Sequence, residues 1–184
     1  MKKETVCFID MDGVLSDFCL QTELMIGKNV RGLKNKSNLT NEERIAQYQA
    51  EHLADFSEMF WRHMPLMKNA DKLIDYCLQK YDTVKLLSKY VPPIGIPHRL
   101  LYVRQAKMRW AMEHFGDKIE LDNIIVTKYN KTQHMEENKT NILIDDTYNE
   151  VKKWRERGGI GFLYKDYEQF MRLMTLNKQY ERDR

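Results

Sequence analysis

The 184-residue sequence contains only three cysteines, Cys7, Cys19 and Cys77, and no long run of apolar residues. An odd number of cysteines cannot form a complete disulfide framework, so we expect buried free thiols and a reducing compartment. No apolar stretch approaches the roughly 20 residues that a membrane-spanning helix requires. The first ten residues, MKKETVCFID, reach acidic residues too early for a secretory signal peptide. These absences predict a cytoplasmic protein without a membrane anchor.

The sequence also has little excess charge of either sign. It has 30 Lys and Arg residues and 27 Asp and Glu residues, which leaves a formal net charge of +3. Both signs are mixed along the chain instead of forming a basic stripe, and this argues against polymeric nucleic acid as a partner. A small anionic ligand needs only a local positive site and remains compatible with this composition. The sequence leaves the oligomeric state open, a homodimer included.

Short apolar, β-branched runs alternate with longer helical patterns over most of the chain. This alternation predicts an α/β fold, a Rossmann-like parallel sheet with helices on both faces. The predicted strands are 5–10, 83–88, 123–127, 141–145 and 159–164, and the predicted helices are 69–80, 100–115, 148–157 and one from 167 onwards.

One region, residues 17–65, interrupts this alternation because it contains helical stretches and no strand pattern. It follows directly on the first predicted strand. We therefore expect a core domain made of residues 1–16 and 66–184, with a small helical cap, residues 17–65, inserted over the carboxyl end of that strand.

Two aspartates, Asp10 and Asp12, end the first predicted strand and are followed at once by Gly13. Side chains at positions i and i+2 of an extended chain point the same way, about 7 Å apart. Open parallel sheets bind ligands at the carboxyl ends of their strands, and glycine permits a sharp exit of the chain there. A pair of solvated aspartates at a strand-to-loop junction would give the same pattern, so this signal needs support from elsewhere.

A second pair of carboxylates, Asp145 and Asp146, ends the predicted strand 141–145. If both strand ends converge, four carboxylates repel one another unless a cation joins them. Oxygen ligands suit Mg²⁺, which keeps several waters and accepts phosphate oxygens. The His and Cys residues are scattered, without the spacing of a zinc site. The sequence therefore predicts a Mg²⁺ site.

Two weaker signals follow the second and third predicted strands. Ser88 ends strand 83–88, where its hydroxyl and the following N–H groups could hold phosphate oxygens. Lys128 and Lys131 follow strand 123–127, and either could neutralise the same phosphate. A serine after a strand is usually a turn residue and surface lysines are common, so both signals depend on the aspartates.

Together these positions resemble the four motifs of the haloacid dehalogenase-like superfamily. DMDGVL corresponds to the first motif, Ser88 to the second, Lys131 or Lys128 to the third, and Asp145–Asp146 to the fourth. The resemblance implies the superfamily's fold, a Mg²⁺ cofactor and a phosphatase activity on small phosphomonoesters.

The chain is further similar to the 5'(3')-deoxyribonucleotidase family. DMDGVLSDF, FWRHMPLMKNA at 60–70, KMRW at 107–110 and ILIDD carry this similarity. Lys131 followed by Thr132 fits the family pattern better than Lys128 does. The chain departs from the family at Ser88-Lys89-Tyr90, where members commonly have Thr-Ser-Pro, and at Thr147, where they often have arginine.

The superfamily resemblance implies a role for each motif residue. Asp10 would attack phosphorus and form an aspartyl-phosphate, and Asp12 would protonate the leaving oxygen and later deprotonate the attacking water. Mg²⁺ would be held by the Asp10 carboxylate, the backbone carbonyl of Asp12 and Asp145, with Asp146 as a further ligand or beside one. The phosphate would be bound by Ser88, Lys131 (alternatively Lys128) and the backbone at Gly13.

The substrate is the least determined part of this interpretation. The deoxyribonucleotidase resemblance implies a nucleoside monophosphate, and Phe56 and Trp61 of the cap are candidates for stacking on its base. Phe56 and Phe60, four residues apart on a helix, would equally pack the cap onto the core. Two alternatives stay open: a phosphatase of the same superfamily that acts on a sugar phosphate or a nucleic-acid 3'-phosphate end, and a non-catalytic protein that binds metal and phosphate.

Overall fold

The computed structural model of the chain describes residues 3–26, 58–90 and 99–182. Its strands are β1 (Thr5–Ile9), β2 (Thr83–Lys89), β3 (Ile124–Thr127), β4 (Thr140–Asp145) and β5 (Ile160–Leu163). Its helices are α1 (Phe18–Ile26), α2 (Glu58–Arg62), α3 (Ala70–Lys80), α4 (Arg99–Phe115), α5 (Tyr148–Glu156) and α6 (Tyr167–Arg182). In the described part of the chain, no helix is both long and apolar enough to cross a lipid bilayer.

The strands form one parallel sheet in the order β3-β2-β1-β4-β5. This confirms the predicted α/β fold, and each predicted strand is present with its ends shifted by no more than one residue. Parallel neighbours need crossover connections, and the helices between the strands supply them.

Side chains of β1 alternate between two hydrophobic clusters, one on each face of the sheet. Cys7 and Ile9 belong to the larger cluster, which includes residues of α3, α4 and α6. Val6 and Phe8 belong to the smaller cluster, in which Phe8 packs edge-on against Trp154 of α5 with ring centroids 5.2 Å apart. Because both faces of β1 are covered, the strand consists of an uninterrupted apolar run.

The carboxyl ends of β1 and β4 lie level with each other at the centre of the sheet. Ile9 pairs with Ile144, and the N–H of Asp10 donates to the Ile144 carbonyl oxygen at 2.9 Å. This register places the residues that follow the two strands side by side. It is the geometry that brings the two pairs of aspartates together.

The chain leaves the core after β1 and returns to it at the same place. The Asp17 N–H donates to the Pro65 carbonyl, and the Met67 N–H donates to the Leu15 carbonyl, both at 2.8 Å. Between these points lie α1 and α2, which touch through Phe18 and Phe60, with ring centroids 5.2 Å apart. The division into a core and a cap at residues 17–65 stays a prediction, since most of that segment lies outside the described residues.

Candidate active site

Three carboxylates meet at the carboxyl ends of β1 and β4. Oxygen atoms of Asp10, Asp145 and Asp146 all lie within 4.8 Å of one another. Asp10 is 6% exposed and Asp145 is fully buried. Most of the chain separates Asp10 from Asp145 and Asp146 in sequence, and the pairing of β1 with β4 makes them neighbours.

Lys131 lies between two of these carboxylates. It begins a short 3₁₀ turn (Lys131–His134), whose preceding residue Asn130 accepts a hydrogen bond from the Thr132 N–H at 3.2 Å. This turn directs the lysine back toward the sheet, where its Nζ atom is 2.7 Å from Asp10 Oδ1 and 2.7 Å from Asp145 Oδ2. Charge-assisted bonds of this length are among the stronger polar contacts in a protein.

Burial and charge act against each other in this cluster. Burial, together with the charges of Asp145 and Asp12, raises the pKa of Asp10 to about 7, although Lys131 works to lower it. Burial works to lower the pKa of Lys131, but the adjoining carboxylates of Asp10 and Asp145 hold it above its ordinary value. One lysine is therefore too little to compensate the crowded carboxylates, and a second cation would stabilise their ionised form.

Gly13 allows the chain to pass close to Asp146. Its backbone has a φ of +83°, a conformation that side chains rarely adopt, and a Cβ atom there would lie only 2.7 Å from Asp146 Cγ. Gly13 is thus required both by the small space beside Asp146 and by the backbone conformation. Thr147 also contacts the paired aspartates. Its N–H donates to Asp145 Oδ1 at 2.7 Å, and its hydroxyl donates to Asp146 Oδ1 at 3.2 Å.

Lys107 is a residue of the site to which the sequence analysis assigned no role. It lies on α4, is fully buried, and forms an ion pair with Asp12 Oδ2. Its Nζ also donates to Ser88 Oγ at 3.1 Å and to the Lys89 carbonyl oxygen at 3.2 Å. The signal that could have revealed it is its place in the apolar stripe of a helix, where a lysine is rarely found without a buried partner.

The remaining predicted phosphate-binding residues occupy different environments. Ser88 is fully buried at the end of β2 and accepts the hydrogen bond from Lys107. Lys128 is exposed, and its Nζ is 5.3 Å from the centroid of the Tyr129 ring. Of the two candidate lysines, the structure therefore brings Lys131 to the carboxylates and leaves Lys128 outside them.

Of the two predicted aromatic residues of the cap, the structure describes Trp61, whereas Phe56 lies outside the described residues. Trp61 is 7% exposed, and Lys107 Nζ lies 4.0 Å from the centroid of one of its rings. The ring that lines the cavity beside the aspartates is instead that of Phe18, which packs against Phe60 and Trp61. A role for Phe56 or Trp61 in substrate binding stays a prediction.

A cavity of about 480 Å³ opens in front of the carboxylates. This volume is within the range that small-molecule ligands occupy in proteins. Its described walls carry carboxylates, a phenyl ring and the cations of Lys89 and Lys131. The lining includes Asp10, Asp12, Gly13, Phe18, Lys131 and Asp146.

The donors at this site fit a hard divalent cation. Asp10, Asp145 and Asp146 offer carboxylate oxygens only, and their mutual repulsion is reduced when a cation lies among them. Within the described residues, no histidine or cysteine belongs to this group. An all-oxygen donor set of this kind is typical of Mg²⁺ and unlike a zinc site.

Comparisons by sequence and by structure give different results. No family model matches the sequence, and no curated protein matches it either. Solved structures do match. A hydrolase from Streptococcus pneumoniae TIGR4 has 11% sequence identity and a TM-score of 0.50, and the alignment covers 95% of this chain and 100% of that chain.

A second match is YfnB from Bacillus subtilis, described as a HAD-hydrolase and solved with magnesium bound. It has 12% sequence identity and a TM-score of 0.52, with 95% of this chain and 100% of that chain covered. At such identities the likeness concerns the fold. The five-stranded order β3-β2-β1-β4-β5, the aspartates at the ends of β1 and β4, and these two matches agree, and the chain has the fold of the haloacid dehalogenase-like hydrolases.

Proposed function

We propose that the chain is a Mg²⁺-dependent phosphatase that forms an aspartyl-phosphate on Asp10, and that its substrates are nucleoside monophosphates. The observation that carries this proposal is the convergence of Asp10, Asp145, Asp146 and Lys131 beside a cavity in a haloacid dehalogenase-like fold. A nucleophile, an oxygen-rich cation site and a buried ammonium group are the parts that phosphoryl transfer requires.

In the first half of the reaction Asp10 is the nucleophile. One of its carboxylate oxygens bonds to phosphorus while the ester P–O bond breaks, and the leaving oxygen takes a proton from Asp12. Both side chains line the same cavity, and Asp12 lies two residues after Asp10 on the loop that follows β1, so both can reach one phosphate. General acid catalysis of this kind contributes roughly 10²- to 10⁴-fold to a rate.

In the second half, water splits the aspartyl-phosphate. Asp12, now ionised, takes a proton from the attacking water, and the P–O bond to Asp10 breaks to release inorganic phosphate. The same carboxyl group thus acts first as an acid and then as a base, and the division into two steps avoids a direct attack of water on the ester.

Positive charge around the transferring oxygens comes from Lys131 and from the metal site. Lys131 is held by two carboxylates and pointed at the cavity that it lines, so it needs no reorganisation when phosphate binds. Bound Mg²⁺ would be held by Asp10, Asp145, Asp146 and the backbone carbonyl of Asp12, and it would supply further positive charge for the phosphate oxygens.

Two observations support a nucleotide substrate. The resemblance of DMDGVLSDF, KMRW and ILIDD to deoxyribonucleotidases favours it, and Phe18 supplies an aromatic wall next to the catalytic aspartates. A base stacked on an aromatic ring gains about 1–3 kcal/mol in nucleic-acid binders. In this proposal the enzyme acts in the cytoplasm on small phosphomonoesters.

The test is phosphate release from a panel of substrates in the presence of Mg²⁺. The panel contains dUMP, dTMP, glucose 6-phosphate and an oligonucleotide with a 3'-phosphate. Asp10→Asn removes the nucleophile, and Asp75→Asn, an aspartate on α3 that pairs with Lys118 on the surface, is the matched control. A phosphoryl adduct on the peptide that contains Asp10, seen by mass spectrometry after acid quenching, would identify the intermediate.

We expect release from the deoxyribonucleotides that EDTA abolishes, that Asp10→Asn eliminates and that Asp75→Asn leaves unchanged. Preference for glucose 6-phosphate or for the oligonucleotide, with the same sensitivity to Asp10→Asn, would retain the mechanism and overturn the substrate. Release that survives Asp10→Asn would overturn the mechanism. No release from any compound would favour a protein that binds metal and phosphate without catalysis.

A further inference from the structure

The amino group of Lys107 has a complete set of partners although the side chain is fully buried. Its three N–H groups can be matched to three acceptors, namely Asp12 Oδ2, Ser88 Oγ and the Lys89 carbonyl oxygen. One of the rings of Trp61 covers a further side at 4.0 Å from Nζ to the ring centroid. A buried amino group with this many fixed contacts has one preferred position.

Three of these contacts come from groups whose own positions are already determined. The Lys89 carbonyl belongs to β2, Ser88 is fully buried in the same strand, and Trp61 is packed against Phe18 and Phe60. The fourth contact, Asp12, lies on the loop after β1, with a side chain that is 25% exposed. The Asp12 carboxylate lies beyond the end of β1, where strand pairing does not fix its position. Lys107 links this carboxylate to β2 and α4 and thereby restricts its movement.

This contact also distinguishes the two oxygens of Asp12. Oδ2 is occupied by Lys107, whereas Oδ1 has a longer hydrogen bond of 3.3 Å from the Ser16 hydroxyl. Asp12 lines the cavity. In the proposed scheme Oδ1, which is not paired with Lys107, exchanges the proton with the leaving group and the water. A rotation of the carboxylate about its own bonds would exchange the two oxygens, and the ion pair with Lys107 opposes this.

We propose that Lys107 is a positioning residue for the reaction, because it fixes the carboxylate of Asp12 in the orientation that proton transfer requires. The proposal rests on the proposed function, since Asp12 transfers the proton in that scheme. Lys107 acts through Asp12, because its side chain is fully buried and its three N–H groups are matched to protein acceptors. Misplacement of a reacting group by about 1 Å can lower a rate roughly 100-fold, so such a residue has a large kinetic effect.

The experiment is a double-mutant cycle with kcat as its readout. Lys107→Met keeps an unbranched side chain of similar length on the buried face of α4 and removes the charge and all three donors. Lys118→Met, on a half-exposed lysine paired with Asp75, is the matched control. Both changes are also made in an Asp12→Ala background, and circular dichroism with urea unfolding verifies that each variant is folded.

We expect Lys107→Met to lower kcat about 100-fold with KM changed less than about 3-fold, whereas Lys118→Met leaves both unchanged. In the Asp12→Ala background, Lys107→Met should lower kcat by less than about 3-fold, because the group that it positions is gone. Equal losses in both backgrounds would overturn the proposal and assign Lys107 a general structural role. If Lys107→Met does not fold, Lys107→Gln replaces it in the same cycle. The same two quantities are then compared, namely the loss of kcat in the wild-type background and in the Asp12→Ala background.

A second measurement does not depend on turnover. In a crystal structure of Lys107→Met we expect the Asp12 carboxylate to move by about 1 Å or to rotate away from its wild-type position. An unmoved carboxylate would overturn the proposal even if activity fell. Wild-type protein that hydrolyses no substrate would overturn the proposed function, and the position of Asp12 in the variant would still decide whether Lys107 positions it.

Discussion

Charged residues gather at both ends of the sheet, and the two clusters differ in burial and in balance. The carboxyl-edge cluster is largely buried, and its Lys131 and Asp145 side chains are 3% and 0% exposed. The amino-edge cluster lies nearer the surface, and its Lys139 and Glu4 side chains are 28% and 50% exposed. The carboxyl-edge cluster consists of Asp10, Asp12, Asp145, Asp146, Lys107 and Lys131, and the amino-edge cluster consists of Glu4, Lys85, Glu136 and Lys139.

The two clusters differ in how their charges balance, and this difference marks the carboxyl-edge cluster as the candidate site. In the amino-edge cluster two carboxylates face two ammonium groups, and water screens what remains, so nothing further is needed for neutrality. In the carboxyl-edge cluster four carboxylates face two ammonium groups in a largely buried setting. When all four carboxylates are ionised, the excess of two negative charges equals the charge of one divalent cation, and a bound cation would compensate it.

The largest difference between the clusters is expected for catalysis. Asp10→Asn removes the proposed nucleophile and should lower kcat by roughly 10⁴-fold or more, with the protein still folded. Glu136→Gln removes one carboxylate from the amino-edge cluster and should leave kcat within about 2-fold of wild type. Both are measured as steady-state phosphate release. Comparable losses in the two variants would contradict the assignment of chemistry to the carboxyl edge.

Stability should distinguish the clusters next. Lys131→Met leaves Asp10 and Asp145 buried without their shared ammonium group, and removal of one partner from a buried ion pair typically costs about 3–5 kcal/mol. The free energy of unfolding is measured by urea denaturation in metal-free buffer. Lys139→Met, at the exposed amino edge, is the control and should leave the urea midpoint nearly unchanged. If Lys131→Met hardly changed the free energy of unfolding, the buried Asp10 and Asp145 carboxylates would not need Lys131 for stability, and the prediction would be wrong.

Metal binding should stabilise one cluster and not the other. At a Mg²⁺ concentration 100 times the dissociation constant, the free energy of unfolding should rise by about 2.7 kcal/mol. Asp145→Asn should reduce this gain strongly, because it removes one of the three converging carboxylates, whereas Glu136→Gln should retain it in full. The measurement is the urea midpoint with and without Mg²⁺. An equal gain in all three proteins would place the metal elsewhere.

The smallest expected effect comes from the backbone at the carboxyl edge. Gly13→Ala places a methyl group against Asp146 and should weaken Mg²⁺ affinity by roughly 10-fold, as loss of support around a metal ligand does. Gly158→Ala is a matched control, because its φ of +91° imposes similar backbone strain with no atom near the added methyl group. Both variants should lose about 1–2 kcal/mol of stability, and only Gly13→Ala should change the Mg²⁺ concentration that supports half-maximal activity.

Much of the fold could be predicted from the sequence because local patterns determine it. The apolar runs of the five strands are bounded by polar residues, so their ends could be placed to within a residue. The convergence of Asp10 with Asp145 followed from the rule that ligands bind at strand ends, without knowledge of the register that brings them together. These parts of the site depend on strands, whose periodicity is visible in the sequence.

The rest depended on contacts that no local pattern contains. Lys128 and Lys131 both follow β3, and only the 3₁₀ turn from Lys131 to His134 decides which lysine reaches the carboxylates. Lys107 could not be assigned because its partner, Asp12, lies far away in sequence on another element. The burial of Trp61 against Phe18, Phe60 and Lys107 likewise follows from tertiary packing.

The pairing of β1 with β4 has a consequence for when the candidate site is completed. During synthesis Asp10 and Asp12 emerge well before Asp145 and Asp146. Until β4 adds to the sheet, the first two aspartates have neither Asp145 nor Asp146 beside them. Since contacts between distant segments form slowly, the candidate site should be among the last features that a nascent or refolding chain completes.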